Sequence, residues 1–479
     1  MPRLTRIVPA LAALAALAGC TTVGPNFQSP AAPTAQSYAM AGDRAAPTPV
    51  LTPDRRAAGP WWKALGDPAL DDVMTQALAN NQTVAEADAN LAKAQAQTAS
   101  VRGGLAPQVG LNANAQRERI NVQAFGFGSF PNPTINLYSV GGAVSYDLDL
   151  FGGGRRHVES AAAHAEAEAR RADAAYLTLT GNVALQALRI ATLRAQIAQA
   201  QAVIADDQQN IDIVHKAQAA GGEAPSATTG GKTQLAQDQA LLPPLNQQLA
   251  EARHALAALV GKAPSEWGAP DFDLAAFARP DEIPVSLPSA LVRGRPDILA
   301  AEADVHMATA DFGVAIARLY PDIKLSANLT QSALTPASLF SWSSTGYSLA
   351  GGLTAPIFDG GTRRADRRAA QAATQAALAR YRQTVLTAFV QVSDVMSALG
   401  NDQDRLAALG QAEATAQANL RDARSAYSLG GAALLPVVDA QRQLNQARRN
   451  RVEAEGQRMA DIVKLYTATA ADWREAAKP

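Results

Sequence analysis

The sequence contains two copies of one unit, separated by about 210 residues. The segment LAPQVGLNAN at Leu105–Asn114 matches LYPDIKLSAN at Leu319–Asn328. Two shorter matches keep the same order: AEAD at 85–88 and 301–304, and a segment rich in glycine and arginine at 149–156 and 356–364. This period is far longer than that of a solenoid repeat. It predicts a duplicated domain, with a first repeat at 61–262 and a second at 263–479.

Each copy contains two segments whose side chains alternate in polarity. In the first copy Val109, Leu111 and Ala113 alternate with Asn112 and Asn114. Such alternation predicts strands at 105–119 and 137–150 in the first copy, and at 319–331 and 345–357 in the second. A period of two over about ten residues fits a barrel strand between lipid and water, but it also fits a solvated antiparallel hairpin. The strands alone leave both alternatives open.

A glycine cluster follows each pair of strands and opens a long segment without proline. Residues 157–216 and 363–429 are each long enough for about 90–100 Å of α-helix, several times the usual length. Their apolar positions are mostly alanine, which suits close packing between helices. Glycine pairs at Gly221-Gly222 and Gly430-Gly431 then predict tip turns, which give helical hairpins at 155–260 and 363–466.

Four strands per chain cannot close a barrel, and an open sheet edge is not tolerated in lipid. Two chains would supply eight strands, whose interior is filled by side chains, whereas three chains would supply twelve strands and a lumen. The polar second face of each strand favours a water-filled lumen. We therefore predict a trimer of mainly α chains, with a twelve-stranded β-barrel part continuous with a long helical tunnel.

The single cysteine, Cys20, ends a segment with the features of an export signal. Arg3 and Arg6 precede an apolar run at 7–18 that is too short to span a bilayer. The sequence LAGC at 17–20 resembles the bacterial lipobox, in which the cysteine is acylated; an ordinary cleavage site near a cysteine is the alternative. We expect a lipoprotein signal peptide at 1–19, lipid attachment at Cys20, and an extended, proline-rich tether at 20–60.

Composition and motifs exclude several other functions. The formal net charge of -1 gives no bulk field that would recruit nucleic acid. One cysteine and five histidines without ligand spacing indicate no metal site, and no pattern indicates an enzyme or a cofactor. The segment Gly231-Lys232-Thr233 ends like a nucleotide-binding P-loop, but Ser226 stands where the first glycine of that motif belongs.

The turn of the second copy carries the most specific site prediction. Leu435, Asp439 and Arg442 follow it at spacings of four and three, so they share one helical face. In a three-fold assembly, Asp439 becomes a ring of three carboxylates at the tunnel mouth, which favours cations. The alternative is a solvated ion pair between Asp439 and Arg442, worth a few tenths of a kcal/mol.

Four motifs in order, WWKALGDPAL at 61–70, RGRPDI at 293–298, APIFDGG at 355–361 and VDAQR at 438–442, carry a family resemblance. They resemble the outer-membrane factors of tripartite efflux pumps, the TolC-like channels, and in particular their lipid-anchored OprM/NodT branch. The resemblance extends from Cys20 to about Tyr466, nearly the whole chain after the predicted signal peptide.

The resemblance implies a homotrimer with a twelve-stranded barrel in the cell outer membrane and a periplasmic α-barrel. Such a trimer would be a passive exit duct for drugs or other small toxic compounds. The implied partners are a periplasmic adaptor (membrane fusion) protein, an inner-membrane RND-type transporter and outer-membrane lipid.

The resemblance also implies a periplasmic gate. Leu435 and Asp439 would form its closed constriction, and Tyr427 and Arg442 would hold neighbouring hairpins shut. The first copy departs from this pattern, because it has Ala227–Lys232 where the family has a Leu-Asp-Val stretch.

Two other functions stay open at this point. An exit duct for protein or peptide secretion shares the fold, and an RND-type operon neighbour or drug hypersensitivity on deletion would separate it from an efflux duct. A periplasmic coiled-coil adaptor is less consistent with the sequence, because it would lack the paired alternating hairpins at 105–150 and 319–357.

Overall fold

The structure is a computed structural model that describes residues 22–31, 38, 40, 60–121, 124, 126, 131–221, 224–278 and 288–469. The predicted signal peptide, Cys20, Gly222 and most of the predicted tether lie outside these residues. The helices are α1 (Pro68–Asn80), α2 (Gln82–Gly103), α3 (Gly153–Ala219), α4 (Pro225–Gln239), α5 (Leu242–Val260), α6 (Pro288–Gly294), α7 (Pro296–Ala317), α8 (Thr362–Ser428) and α9 (Leu435–Ala468). The strands are β1 (Gln108–Arg119), β2 (Thr134–Asp147), β3 (Asp322–Ala333) and β4 (Thr345–Thr354).

The chain forms two compact units, and each unit takes segments from both sequence repeats. The first unit consists of the described residues within Met1–Pro30, Asn90–Glu168 and Ala300–Tyr381. The second consists of those within Ala31–Ala89, Ala169–Leu299 and Arg382–Pro479. The repeats are therefore related in sequence, but neither of them forms a compact unit by itself.

The first unit contains one antiparallel sheet of four strands in the order β1-β2-β3-β4. Its register aligns side chains of like polarity across all four strands. One face carries the row Val109, Val144, Ala327 and Leu349, and the other carries Gln108, Ser145, Ser326 and Ala350. The apolar face is open: Val109 is 77% exposed and Tyr347 is 81% exposed. In this sheet, β1 and β4 are each paired on one side only.

The strand ends differ from the predicted ones by a few residues. Strands β1 and β3 begin at Gln108 and Asp322, just after Pro107 and Pro321, rather than at 105 and 319. Strand β4 ends at Thr354, before Pro356, rather than at 357. A proline has no N–H to donate to a neighbouring strand, and each of these prolines marks a strand end. Strand β2 covers 134–147 rather than 137–150, because Thr134 pairs with Arg119 at the end of β1.

The helices of the first unit pack side by side through small side chains. Hydrogen bonds connect neighbouring helices: Thr98 Oγ1 to the Ala161 carbonyl (2.9 Å), His306 Nε2 with Glu159 Oε1 (3.0 Å), and Thr374 Oγ1 to the Ala308 carbonyl (3.0 Å). These contacts give the order α2, α3, α7, α8. Alanine predominates in the buried positions, which allows this close approach, as the alanine-rich sequence predicts.

The long helices α3 and α8 contain 67 residues each. The predicted hairpin at 155–260 has one returning helix. In the structure, the returning helix of the first copy is not continuous. It is divided at Ala240-Leu241 into α4 and α5, because Pro243 and Pro244 supply no N–H for the helical hydrogen bonds and crowd the preceding turn. The returning helix of the second copy, α9, is continuous over 34 residues. Among the described residues, every helix is too short or too polar to cross a membrane.

The start of α1 is anchored in the core of the second unit. Asp67 caps α1 by accepting a hydrogen bond from Ala69 N at 2.8 Å, and Pro68 occupies the first helical position. Trp61 is 1% exposed and stacks on Tyr466 of α9, with a ring-centroid distance of 5.5 Å. The WW and DP elements of the first motif are therefore structural, because they anchor the start of the helical domain.

Candidate functional site

The site begins at the turns that end the two long helices. Helix α8 ends in a left-handed glycine cap: Gly430 has φ +74°, and Gly431 N donates to the Ala426 carbonyl at 3.0 Å. Helix α3 ends in the same way at Gly221, whose φ is +78°. A side chain would be strained at either φ, and this explains the glycines that the sequence places there. The function of these tip turns stays a prediction.

The three residues predicted to share a face lie on the open side of α9, and we name them the gate face. Leu435 is the first residue of α9 and is 67% exposed. One turn later, Asp439 Oδ1 lies 3.8 Å from Arg442 Nη1, and both side chains are more than half exposed. An exposed pair at this distance contributes little to stability.

Tyr427, the fourth predicted gate residue, lies in a different environment. It is half-buried at the end of α8 and packs against a hydrophobic cluster. This tip cluster consists of Val214, Leu420, Leu434, Val437, Ala440 and Leu444. Its members come from α3, α8, α9 and the turn before α9, so Tyr427 takes part in joining the two hairpins. Tyr427 thus packs against the tip cluster, whereas the gate face lies on the exposed side of α9, and its part in the gate stays a prediction.

A buried polar network beside the tip cluster was not predicted from the sequence. Gln441 is 3% exposed and accepts a hydrogen bond from Arg424 Nη2 of α8 at 2.8 Å. Its Nε2 donates to Asp206 Oδ2 of α3 at 2.9 Å and to Asn445 Oδ1 at 3.1 Å. One side chain of α9 is thus bonded to both long helices. The VDAQR motif contains Gln441, and an uncharged polar residue on the buried face of α9 is the signal that could have revealed it.

Two carboxyl groups face each other between α3 and α4. Asp207 and Asp238 are 6% and 8% exposed, and Asp207 Oδ2 has no hydrogen-bond partner among the described residues. Burial, followed by the neighbouring carboxyls of Asp238 and Asp206, raises the pKa of Asp207 to about 7, while the Arg442 charge lowers it. Gln234 Nε2 donates to Asp238 Oδ2 at 2.6 Å. The pair is therefore more stable while one of the two carboxyls keeps a proton.

Asp238 of the acid pair borders the same groove as Asp439 and Arg442 of the gate face. The groove has a volume of about 400 Å³, and Asp238, Asp439, Arg442 and Asn445 are among its lining residues. Two arginines, Arg442 and Arg449, also line the groove, and Arg442 is the one whose charge lowers the pKa of Asp207. Its guanidinium interacts with Asp439 on the surface and with the field of the buried carboxyls beneath, so the gate face is coupled electrostatically to the packing of α3 and α4.

An antiparallel sheet with one open apolar face, joined to two 67-residue helices, defines an outer-membrane channel subunit of the TolC-like class. Residues 73–262 and 287–471 match the family model described as outer membrane efflux protein. The chain belongs to this family and is an outer-membrane component of an efflux system.

Relatives of known function have similar lengths. The pyoverdine export outer membrane protein OpmQ of Pseudomonas aeruginosa is 30% identical over 418 residues, covering 86% of this chain and 87% of OpmQ. The cation efflux system protein CusC of Escherichia coli is 26% identical and is aligned over 98% of this chain and 99% of CusC. The solved structure of the outer-membrane channel OprN superimposes with a TM-score of 0.87 at 27% identity, over 95% of this chain and 100% of that one.

Proposed function

We propose that three copies of the chain close one duct through the outer membrane. The support for this is the open sheet, in which β1 and β4 each have an unpaired edge and the apolar face is exposed. In lipid such edges must be paired, and pairing β4 of one copy with β1 of the next gives twelve strands from three copies. The polar face, with Gln108 and Ser145, then lines a water-filled lumen. Cross-linked trimers after solubilisation from cell envelopes are the expected result, and a monomer or dimer would contradict the proposal.

The duct works with a periplasmic adaptor protein and an inner-membrane transporter of the RND class, and its cargo is drugs or other small toxic compounds. The names of OpmQ and CusC, which refer to pyoverdine export and cation efflux, favour small solutes over secreted proteins. Co-purification of cross-linked partners from cell envelopes tests this: an adaptor and an RND transporter are expected, and components of a protein-secretion system would contradict it. Deletion of the chain is expected to cause hypersensitivity to small toxic compounds.

The gate face narrows the periplasmic end of this duct, with Leu435 and Asp439 as the constriction. The observation that carries this is that both side chains are exposed on α9, next to the turn, and that the ion pair of Asp439 with Arg442 is itself exposed. Arg442 and Tyr427 hold the closed form, Arg442 through Asp439 and Tyr427 through the tip cluster. Opening separates the hairpins when a partner stabilises the separated state.

Asp439→Ala tests the gate. Single-channel conductance in a planar bilayer is expected to rise, because the variant removes three carboxylates and the side-chain bulk at the constriction. Asp422→Ala, an exposed carboxylate of α8 outside the gate face, is the matched control and is expected to conduct like the wild type. Equal conductance of wild type and Asp439→Ala would refute the gate while leaving the duct itself intact.

Cys20 carries the lipid anchor after removal of residues 1–19, and the two repeats, 61–262 and 263–479, arose by duplication. Radiolabelled palmitate is expected to be incorporated into the wild type and not into Cys20→Ser. Labelling of the serine variant would contradict the anchor.

A further inference from the structure

The first residues that the structure describes are folded onto the helices of the first unit. Val23 N donates to the Phe151 carbonyl at 3.1 Å, in the short connection between β2 and α3. Further along, the hydroxyl of Ser29 is hydrogen-bonded to Glu302 of α7. We name residues 22–29 the strap. Its contacts lie within one chain, on α3 and α7.

Arg156 of α3 makes the largest number of polar contacts with the strap. It is 2% exposed, and it donates to the carbonyls of Val23 and Gly24 (3.2 Å each) and to Asn26 Oδ1 (2.7 Å). Among the described residues, its other side-chain partner is Glu159, at 2.7 Å. Hydrogen bonds from a charged donor are about twice as strong as those between neutral groups. Arg156 therefore holds the strap through three strong bonds.

Two glycines allow the strap to lie this close to the helices. Gly24 has φ +89°, and a Cβ on it would lie 2.8 Å from Gly313 Cα of α7. A Cβ on Gly313 would in turn lie 2.9 Å from Arg156 Cδ. A side chain at either position would therefore displace the strap or the arginine that binds it.

An aromatic contact continues the same network. Phe27 of the strap stacks on His306 of α7, with a ring-centroid distance of 4.4 Å and an interplanar angle of 16°. His306 Nε2 lies 3.0 Å from Glu159 Oε1, and Glu159 also binds Arg156. The charged and the aromatic contacts of the strap are thus connected through one carboxylate, so the strap is bound as a unit.

The strap begins where the sheet ends. A Cβ on Gly152, between β2 and α3, would lie 2.8 Å from Thr22 Cα. Cys20 precedes Thr22 by two residues, and two residues span at most about 7 Å. In the proposed duct, acyl chains on Cys20 would therefore enter the bilayer close to the point where the strands leave it. A free tether of about 40 residues would have a root-mean-square end-to-end distance of about 35 Å instead.

We propose that Arg156 positions the lipid anchor. By binding the strap, it keeps the acylated Cys20 beside the end of the sheet, so that the anchor and the apolar face of the sheet enter the same membrane together. The proposal rests on the acylation of Cys20 and on the three-copy duct proposed above. It adds that acylation alone is not sufficient: with an unbound strap, the anchor holds the chain by a long free segment, and fewer sheets meet in the membrane to form the duct.

Limited digestion of the purified full-length protein with chymotrypsin measures whether the strap is bound. Chymotrypsin cleaves next to large aromatic residues, and Phe27 is the one such residue between Cys20 and Tyr38. In the bound strap its ring is stacked on His306 and is not available to the protease. Mass spectrometry then follows the appearance of a chain that begins at Gln28. Arg156→Gln should produce this chain at least about tenfold faster than the wild type, because it loses charge-assisted hydrogen bonds.

The same variant tests the positioning role in cell envelopes. Arg156→Gln should incorporate radiolabelled palmitate like the wild type, but its yield of cross-linked trimers should fall several-fold. Arg155→Gln is the matched control, because this neighbouring arginine bonds to Asp149 rather than to the strap. It should behave like the wild type in all three measurements. Asn26→Ala lies outside the helices and removes one strap bond, so it should speed cleavage to a smaller extent without disturbing α3.

Equal cleavage rates of the wild type, Asn26→Ala and Arg156→Gln would overturn the proposal. A wild-type yield of trimers from Arg156→Gln, despite rapid cleavage at Phe27, would overturn the positioning role. Both of these outcomes leave the acylation of Cys20 intact. Absence of palmitate from the wild type would instead overturn the anchor and this proposal together, so the two failures are distinguishable.

Discussion

Asp207→Asn should remove a pH dependence that the acid pair builds into the hairpin of the first copy. The wild-type carboxyl has an ordinary pKa of 3.8 and a pKa of about 7 in the folded protein, chiefly because it is buried and faces Asp238. A group whose pKa is raised by folding binds more protons in the folded state. Stability therefore falls as the pH rises from about 4 to about 7, and it stays low above that range.

The shift of about three pH units sets an upper limit of about 4 kcal/mol at 1.36 kcal/mol per unit. Because the adjoining groove admits water, and Arg442 offsets part of the repulsion, we expect about 2 kcal/mol. An asparagine at this position can donate its amide hydrogen to Asp238 at any pH, so the variant should keep the pairing of α3 and α4 without a titrating proton.

Hydrogen–deuterium exchange of α4 at pH 4.5 and pH 8 measures the effect, after correction for the intrinsic pH dependence of amide exchange. In the wild type, corrected exchange is expected to be roughly tenfold faster at pH 8, and in Asp207→Asn it should be nearly independent of pH. Asp212 is an exposed carboxylate on α3, the helix that also carries Asp207. The control variant Asp212→Asn should therefore behave like the wild type. The reasoning fails if Asp207→Asn retains the wild-type pH dependence, or if the wild type shows none.

Three further substitutions test the packing of the second unit. Burial, together with the neighbouring Asp461, raises the pKa of Asp402 to about 6. In the wild type, protection of α8 from hydrogen exchange should therefore fall between about pH 4 and pH 6. In Asp402→Asn this fall should be absent in the same exchange experiment. Gln441→Ala should lower the thermal unfolding temperature, because leaving its buried partners unpaired costs about 1–3 kcal/mol. Gly456→Ala should also lower it, since the added Cβ would lie 2.6 Å from Thr192 Cγ2 and overpacking costs about 1–3 kcal/mol. Gly410→Ala, with open space around it, should leave that temperature unchanged or raise it by the gain in helix propensity; a destabilised Gly410→Ala would contradict the steric explanation.

Local patterns were sufficient to predict the four strands and the residues on each face of the sheet. Polarity with a period of two assigns each residue to a face, and the register then aligns Val109 with Val144 and Ala327 on one face. The start of α1 could also be predicted from a local pattern, since the Asp67-Pro68 cap lies within two neighbouring residues. Strand ends were less accurate because they depend on pairing partners, as the position of β2 shows. The division at Ala240-Leu241 could have been predicted from Pro243 and Pro244.

The parts of the site that were missed depend on contacts between distant helices. Asp207 and Asp238 lie on different helices, and their approach depends on how far α4 is displaced along α3. The bond from Gln441 to Asp206 likewise joins opposite halves of the sequence. Asp439 and Arg442 were predicted to be neighbours because three residues along one helix determine their separation. Tyr427 was assigned to the gate by resemblance, whereas its half-buried position depends on the tip cluster.

The distribution of residues around α9 indicates what the proposed opening must break. Its open side carries Leu435 and Asp439, whereas its buried side carries Gln441, which is bonded to α3 and to α8. A movement of α9 that withdraws Asp439 from the three-fold axis also displaces Gln441, because both are fixed to one helix. In the gate that we propose, the buried network therefore adds about 1–3 kcal/mol to the closed state, more than the exposed ion pair supplies. A partner that opens the gate must bind the open form more tightly than the closed form by at least this amount. Removing the hydrogen bonds of Gln441 should lower this difference in binding free energy without changing the constriction itself.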